Sequence, residues 1–232
     1  MNGSNINRDG EYFAEEYFHV YNRGVDKRDI FIDTADYLRF CEGLREFNTT
    51  EMVAIEKIRK SRQEFKQLRQ SPTLPAGNVG LCLEGEKLVE ILCWCLMPNH
   101  FHLLLRPLRE NGITDFMRKV GTGYTKYFNK RYERSGHLFQ GKYQHREVDT
   151  ESSLSYVSAY IHLNPVKAEI CRLAEQYPWS SYKDIANDYH GLVPVDKDSM
   201  GITANEYKIF VDGLAKGYEK MALFSDTLID FD

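Results

Sequence analysis

The stretch WCLMPNHFHLLLRP, residues 94–107, decides the fold of this chain. It lies within two apolar runs, residues 88–97 and 100–107, which meet at Pro98-Asn99. Because this break is too short for anything but a tight turn, the two runs are predicted to form a β-hairpin. Two histidines stand inside the second run, where a strand core would not require them.

A single residue separates these two histidines in the sequence. On a strand, alternate side chains point to the same face, so His100 and His102 are expected side by side, with Phe101 on the opposite face. Two neutral imidazoles in this arrangement can bind a metal ion, although ordinary polar residues on a solvated sheet face show the same pattern. If helices cover only one side of the sheet, the open side is where a ligand would be held.

Two cysteines on the first run offer one set of further ligands. Cys93 and Cys95 are also one residue apart, and with the histidine pair they would complete a Cys₂His₂ zinc site. Against this, the spacing is not that of a zinc knuckle, and cysteines in a strand such as ILCWCLM are most often small core residues. A zinc-stabilised binding protein is therefore kept as an alternative interpretation.

The remaining periodicities place this hairpin in an α+β fold. Strands are predicted at residues 17–24 and 143–148, and helices at residues 33–47, 112–131 and 151–163. The order β, α, β, β, α, β, α is typical of an antiparallel sheet with helices packed on one face. Pro165 is expected to end the last helix, because the residue before a proline is displaced from the α region.

Composition divides the chain into a core domain and two appended segments. Residues 12–182 are expected to form the core. Within them, residues 51–80 combine a strongly charged stretch with a Pro/Gly-rich linker, which is typical of an insertion between two core elements. Residues 183–232 turn acidic and are expected to be a C-terminal extension.

The overall composition favours a cytoplasmic globular protein. Of the 232 residues, 42% are hydrophobic, which is enough for a packed core. The most apolar run, LVEILCWCLM, contains Glu90 and falls far short of the ~20 residues that a membrane span needs. The first residues, MNGSNINRDGEYF, lack the apolar stretch of a secretory signal, and an odd number of cysteines, five, fits a reducing compartment. We therefore expect no membrane association.

The net charge of −4 conceals a basic, aromatic segment. Residues 118–146 contain eight lysines and arginines against the single acid Glu133, interleaved with six tyrosines and phenylalanines. Cations and flat aromatic rings are what single-stranded nucleic acid binds, through phosphate contacts and base stacking. The same composition would also fit a solvated basic helix face whose aromatic side chains lie in the core.

Three polar residues share one face of the last predicted helix. Tyr156, Tyr160 and Asn164 follow one another at intervals of four, beside an apolar stripe that contains Val157 and Ile161. A tyrosine one turn from an amide oxygen can place a hydroxyl and a metal ligand near the same point. The alternative is that these tyrosines pack at the edge of the sheet.

Five segments between about Tyr17 and Tyr182 follow one another in a recognisable order: YFHVYNRG, WCLMPNHFHLLLRP, GHLFQGKYQHREV, YIHLNPVKAEI and YPWSSY. In this order they resemble the REP-associated tyrosine transposases, relatives of the insertion-sequence-200-like transposases within the HUH single-strand nucleases. The resemblance implies that residues 12–182 form a catalytic domain with a ferredoxin-like core. The histidine pair would lie on a central strand, and a single nucleophilic tyrosine on a later helix.

The resemblance also implies a role for each matching residue. Tyr160, in the YIHLNP block, would be the nucleophile. His100, His102 and Asn164 would bind a divalent cation, Mg²⁺ or Mn²⁺. The expected activity is that of a transposase, a metal-dependent endonuclease and strand transferase that forms a 5′-phosphotyrosine intermediate.

Two neighbours on the same helix leave alternatives open. Tyr156, one turn before Tyr160, is the second candidate for the nucleophile, and His162 is a candidate for the base that removes the phenol proton. Because a phenol has a pKa near ~10, a metal ion or a nearby cation has to assist that step.

The implied substrate is single-stranded DNA with short hairpins, because base pairs would hide both the phosphates and the base edges. Six residues of the basic, aromatic segment are candidates for binding it: Arg131, Arg134, Lys142 and Arg146 for backbone contacts, and Tyr127 and Tyr143 for base stacking. Relatives act as homodimers that exchange the tyrosine helix or as single chains, and both states are open here. The alternative function is a non-catalytic single-stranded nucleic-acid-binding protein of the same fold.

Overall fold

The computed structural model describes residues 16–51, 85–148 and 151–221. Within these ranges one sheet contains four strands: β1 (Tyr17–Arg23), β2 (Val89–Met97), β3 (His100–Pro107) and β4 (Gln144–Val148). Their order is β2-β3-β1-β4, and every neighbouring pair is antiparallel. Five α-helices lie in the same ranges: α1 (Thr34–Glu46), α2 (Gly112–Arg131), α3 (Glu151–Lys167), α4 (Tyr182–Ala186) and α5 (Ala204–Met221). The predicted α+β class and ferredoxin-like strand order are confirmed.

Helices α1 and α2 pack on one face of the sheet. α1 begins at Thr34 because the carboxylate of Asp33 accepts hydrogen bonds from the backbone N–H groups of Ala35 and Asp36, at 2.9 and 3.3 Å. The core between these helices and the sheet contains Val20, Phe40, Leu44, Phe101, Leu103, Phe116 and Val120. These side chains fill the space between the two helices and the sheet.

Helix α2 runs through Gly121 and Gly123, as predicted, and Gly123 has a packing role. A Cβ atom on Gly123 would lie 2.6 Å from Cε2 of Phe47, closer than the two atoms can approach. Gly123 therefore lets the ring of Phe47, which follows α1, pack directly against the backbone of α2.

The second face of the sheet carries α3 over β2 and β3. Leu154 and Ile161 of α3 join Cys93, Cys95 and Leu104 in a second core. The prediction that helices lie on one face holds for α1 and α2 and is corrected for α3. Helix α3 packs on the second face because β2 is apolar: its side chains are buried on both faces, apart from the half-buried Glu90.

The part of this second face next to β4 remains exposed. His19 and Tyr21 on β1 pair with Arg146 and Gln144 on β4, and directly paired residues of antiparallel strands point to the same face. Gln144 and Arg146 are exposed. A ligand could reach the sheet over this half, which we call the exposed half of the second face.

Helix α3 does not end before Pro165, contrary to the prediction, but continues to Lys167. Pro165 has no N–H to donate to the carbonyl of Ile161, four residues earlier. The side-chain Nδ2 of Asn164 donates to that carbonyl at 3.3 Å, so the helix keeps a hydrogen bond where the proline removes one. At the C-terminal end of α3, the N–H of Ile170 donates a hydrogen bond to the carbonyl of Pro165 at 2.9 Å.

The described residues beyond 182 pack against the same domain. Tyr207 and Val211 of α5 belong to the second core, together with residues of α3. The boundary at residue 182 remains a prediction, and the predicted insertion at 51–80 lies, after Glu51, outside the described residues. Across the described ranges, every helix lacks the length or the apolar character that crossing a membrane would require.

Candidate active site

Strand β3 presents the two histidines on the face that α3 partly covers. The ring centroids of His100 and His102 lie 4.9 Å apart, while Phe101 points into the core on the other face. His102 is 1% exposed, and His100 is half-buried at the beginning of the strand. The side-by-side arrangement predicted from the alternation is confirmed.

A third imidazole, which the H-x-H pattern alone does not reveal, lies beside this pair. Nε2 of His19 on β1 is 2.9 Å from Nδ1 of His102, and the two rings stack with centroids 5.1 Å apart. The strand register pairs His102 with Tyr21, so the contact from His19 crosses the sheet diagonally. The alternation in YFHVYNRG indicates the face of His19, but the register that brings it to His102 is a long-range property.

The ring of His100 is oriented by its neighbour Asn99. Nδ2 of Asn99 donates to the carbonyl of Lys27 at 3.2 Å, so the amide oxygen must face the other way. That oxygen lies 2.6 Å from Nδ1 of His100. Since an amide oxygen only accepts, His100 carries its proton on Nδ1, and Nε2 holds the lone pair.

All three rings are held in the neutral form. Burial lowers the pKa of His19 and of His100 from 6.5 to about 4, and the positive charges of Arg146 and Arg23, respectively, act in the same direction. Burial also holds the pKa of His102 well below its usual value, with a further contribution from His19. At neutral pH each ring therefore carries one N–H and one lone pair.

Helix α3 brings Tyr160 to these rings. The centroid of its ring lies 6.3 Å from that of His102 and 6.2 Å from that of His19, in edge-on geometry. Nζ of Lys167 lies 5.1 Å from the centroid of the same tyrosine ring. The phenol of Tyr160 thus lies close to the imidazoles of His19 and His102 and to the ammonium group of Lys167, all within one chain.

The other two candidates on α3 lie away from the histidine pair. Tyr156 is 47% exposed, and its ring lies near that of Phe210 in α5, with centroids 6.2 Å apart. His162 is fully buried, with Nδ1 2.7 Å from the hydroxyl of Tyr207 and Nε2 3.0 Å from that of Ser181. Because both ring nitrogens are engaged in the second core, the interpretation of His162 as the proton acceptor is corrected.

Asn164 follows Tyr160 by one helical turn, and the helix backbone orients its amide. Nδ2 donates to the carbonyl oxygens of Tyr160 and Ile161, at 3.0 and 3.3 Å. Since two carbonyl groups can only accept, the NH₂ group must face them and Oδ1 must face away. The amide oxygen is thus the atom of Asn164 that could bind a cation.

The donor set fits a divalent cation. Two neutral imidazoles and one amide oxygen form a mixed nitrogen and oxygen set, which suits Mn²⁺ better than Mg²⁺. Across the described ranges, no group of three His, Cys, Asp or Glu side chains could hold a metal ion. A cation on the histidine pair would therefore need a ligand of another kind, such as an amide oxygen or an oxygen of a substrate.

Cys93 and Cys95 are poorly suited to the alternative zinc site. Both are fully buried in the second core. Burial raises the pKa of Cys93 to about 12 and that of Cys95 well above its usual value, so both thiols keep their protons. Among the described residues these cysteines and the histidines form no group that could hold a metal ion, so the structure gives the zinc interpretation no support.

A cavity of about 320 Å³ opens beside the histidine pair, on the exposed half of the second face. It is lined by Tyr21, Asn22, Arg23, His100, His102, Gln140, Gly141, Lys142 and Gln144. Arg146 lies next to it, opposite His19 in the strand register. Of the predicted DNA-binding residues, Lys142 and Arg146 are thus the two cations that the fold brings to the histidine pair.

The other two predicted cations have partners elsewhere. Arg131 forms ion pairs with Asp33 and Asp36, at 2.5 and 3.1 Å, and so joins the end of α2 to the start of α1. Arg134 donates to the side chain of Asn129 at 2.7 Å, within the turn that follows α2. Their proposed contacts with DNA remain predictions.

The two predicted stacking residues also have partners. The hydroxyl of Tyr127 donates to Asp36 at 3.0 Å, as part of the network around Arg131. The hydroxyl of Tyr143 lies 3.1 Å from that of Thr114. Their proposed stacking roles remain predictions.

Comparison with known proteins finds a family match and a curated relative. Residues 81–164 match the family described as "Transposase IS200 like". A curated relative from Haemophilus influenzae, provisionally named a REP-associated tyrosine transposase, is 26% identical over 104 residues, or 40% of this chain. The match covers 58% of that relative's length.

A solved structure also resembles the chain. It is described as a REP-associated tyrosine transposase bound to a REP hairpin, and it is 14% identical with a TM-score of 0.45. The similarity covers 80% of this chain and 89% of that one. The resemblance found in the sequence is confirmed by the family match: residues 81–164, which are similar to the IS200-like transposases, contain the histidine pair, Tyr160 and Asn164.

Proposed function

We propose that this chain is a metal-dependent endonuclease and strand transferase for single-stranded DNA, with Tyr160 as its nucleophile. The observation that supports the proposal is the position of Tyr160, whose ring lies 6.3 Å from that of His102. Both residues belong to the segment that matches the transposase family. A binding protein without catalysis would have no need to bring a phenol to a pair of neutral imidazoles.

A divalent cation held by His100, His102 and Asn164 would supply Lewis-acid stabilisation to the scissile phosphate. The oxygen of Tyr160 forms a bond to phosphorus while the bond from phosphorus to the 3′-oxygen breaks. The phenol proton leaves to solvent, and the 3′-oxygen takes up a proton. The products are a 5′-phosphotyrosine and a free 3′-hydroxyl, so another 3′-hydroxyl can reverse the step and join a second strand end.

Three cations of the chain support this chemistry. Lys167, 5.1 Å from the centroid of the Tyr160 ring, favours the deprotonated phenol that attacks phosphorus. Lys142 and Arg146, on the exposed half of the second face, would neutralise the phosphates of the bound strand. The resemblance to REP-associated tyrosine transposases extends the proposal to single strands next to short hairpins.

The tyrosine is proposed to act on the site of its own chain. Tyr160 contacts His102 and His19 of the same chain, through a helix that the second core holds in place. The exchange of α3 within a homodimer is therefore not needed to assemble the site.

The proposal is tested by incubating the protein with labelled single-stranded hairpin oligonucleotides and Mn²⁺, followed by denaturing electrophoresis. A covalent protein–DNA band is expected from the wild type and from Tyr156→Phe, and none from Tyr160→Phe. A band that is still formed by Tyr160→Phe would show that another residue is the nucleophile. Tight binding to these oligonucleotides without a band from any form would favour the non-catalytic binding protein.

A further inference from the structure

His19 is a buried imidazole beside His102 to which the proposed chemistry gives no part. Its ring is 7% exposed, and it stacks on His102 with an angle of 28° between the planes. Its Nε2 atom lies 2.9 Å from Nδ1 of His102, which is the distance of a hydrogen bond between two ring nitrogens. Because each neutral ring has one donor and one acceptor, one of these two atoms carries the proton and the other accepts it.

The position of that proton decides whether Nε2 of His102 can bind a cation. If Nδ1 of His102 donates to His19, then Nε2 of His102 holds a lone pair and can bind a cation. If His19 donates instead, Nε2 of His102 is protonated and cannot. His100 provides the comparison within the same site, because the oxygen of Asn99 accepts from its Nδ1 and so leaves the lone pair on Nε2.

We propose that His19 is a positioning residue that accepts a hydrogen bond from Nδ1 of His102 and thereby fixes the tautomer in which Nε2 of His102 binds the cation. This inference rests on the proposed function, in which His102 is a ligand. His19 and Asn99 then have the same task, each setting the proton on Nδ1 of one histidine of the pair. Such hydrogen bonds behind a ligating histidine raise its basicity and hold its ring in orientation.

A direct role for His19 as a third ligand agrees less well with the geometry. Its Nε2 atom points at the neighbouring ring and is engaged there. A purely apolar packing role is also a poor account, because phenylalanine would fill the same space without placing a polar nitrogen in a buried position.

The test measures the tautomer of His102 in the metal-free, DNA-free protein, by side-chain ¹⁵N NMR of histidine-labelled samples near neutral pH. The wild type is expected to hold His102 with its proton on Nδ1. In His19→Phe the acceptor is gone, so the proton is expected to move at least in part to Nε2. His19→Gln, whose amide oxygen can accept, is expected to restore the Nδ1–H form. A wild-type His102 with its proton on Nε2 would overturn the inference.

The second readout is Mn²⁺ affinity, followed by electron paramagnetic resonance. The dissociation constant is expected to rise about 10–100-fold in His19→Phe and to recover in His19→Gln. His145→Phe is the matched control: it removes an exposed imidazole from β4, on the opposite face of the sheet, and is expected to change neither readout. Unchanged affinity in a folded His19→Phe protein would contradict the inference. Neither measurement uses DNA or Tyr160, so a failure of the proposed nucleophile is distinguished from a failure of this proposal.

Discussion

The side chain of Asn164 donates a hydrogen bond to the backbone oxygen of Ile161, the carbonyl that Pro165 leaves without its helical N–H partner. The same side chain is a proposed metal ligand. A loss of activity in an Asn164 variant would therefore mix a structural effect with a chemical one, and the proline next to it offers a way to separate them.

Asn164→Ala is expected to lower the free energy of unfolding by about 1 kcal/mol, because a helix carbonyl loses its donor. In a Pro165→Ala background the N–H of residue 165 can donate to Ile161, so the same Asn164→Ala change should cost less. Urea denaturation of the four proteins measures the coupling, expected at about 0.5–1 kcal/mol. An equal loss in both backgrounds would show that Asn164 does not compensate for the proline.

The chemical role is then tested in the repaired helix. Asn164→Ala combined with Pro165→Ala is expected to remain folded but to lose Mn²⁺-dependent formation of the covalent protein–DNA band. Pro165→Ala alone should keep the band and serves as the control. Full activity of the double variant would show that Asn164 is not a metal ligand.

Lys142→Gln and Arg146→Gln should each weaken binding to single-stranded DNA of any sequence and reduce the slope of log affinity against log salt concentration by about 1. Arg131→Gln should leave that slope unchanged, because this guanidinium is already paired with Asp33 and Asp36. It should instead lower the midpoint of thermal unfolding. Fluorescence anisotropy at several salt concentrations measures the slopes. A reduced slope for Arg131→Gln would show that this residue does contact DNA.

Local sequence patterns account for the β2–β3 hairpin and for the two histidines on one face. Alternation over adjacent residues fixes the face of His100 and His102, and Pro98-Asn99 fixes the turn, so neither needs long-range information. The start of α1 is equally local, since Asp33 caps it with its own side chain. These are the features that the sequence alone predicts correctly.

Other features depend on a partner that is distant in the chain or that the local pattern does not reveal. Pro165 ordinarily ends a helix, but the rotamer of Asn164 supplies the missing hydrogen bond. Arg131 belongs to a basic segment, and only the packing of α2 on α1 reveals its partner Asp36, 95 residues earlier in the chain. The contact of His19 with His102 follows from the register of β1 on β3, which no local pattern determines.

The buried imidazole of His162 is expected to make the chain less stable in acid. Burial lowers the pKa of His162 from 6.5 to about 3 in the folded chain. Between these values the unfolded chain binds a proton that the folded chain does not, so the unfolding free energy falls as pH decreases through this window. The slope from one such group is at most about 1.4 kcal/mol per pH unit. His162→Gln should therefore show a smaller loss of stability than the wild type between pH 6.5 and 5, measured by urea denaturation.

Other buried groups make the comparison of variants more informative than the wild-type curve itself. His19 and His100, with pKa values lowered to about 4, act in the same direction as His162. Asp184 acts in the opposite direction, because burial raises its pKa from 3.8 to about 6 and its contribution is lost as pH rises through that value. Parallel curves for the wild type and His162→Gln would show that His162 does not carry the acid sensitivity.

Tyr207 links α5 to α3, the helix that carries Tyr160. The hydroxyl of Tyr207, on α5, lies 2.7 Å from the hydroxyl of Ser158 and 2.7 Å from Nδ1 of His162, both on α3. All three side chains are fully buried. Tyr207→Phe leaves two buried polar groups without this partner, so the unfolding free energy should fall by about 1–3 kcal/mol.

The same change is expected to slow formation of the covalent protein–DNA band under conditions where the variant is still folded, because a small displacement of α3 moves Tyr160 from its position beside His102. Tyr156→Phe is the matched control, since it removes a hydroxyl from an exposed tyrosine of the same helix. It should change the unfolding free energy by no more than about 0.5 kcal/mol and leave the band intact. If Tyr207→Phe destabilises the chain but cleaves DNA at the wild-type rate, α5 stabilises the fold without positioning the nucleophile.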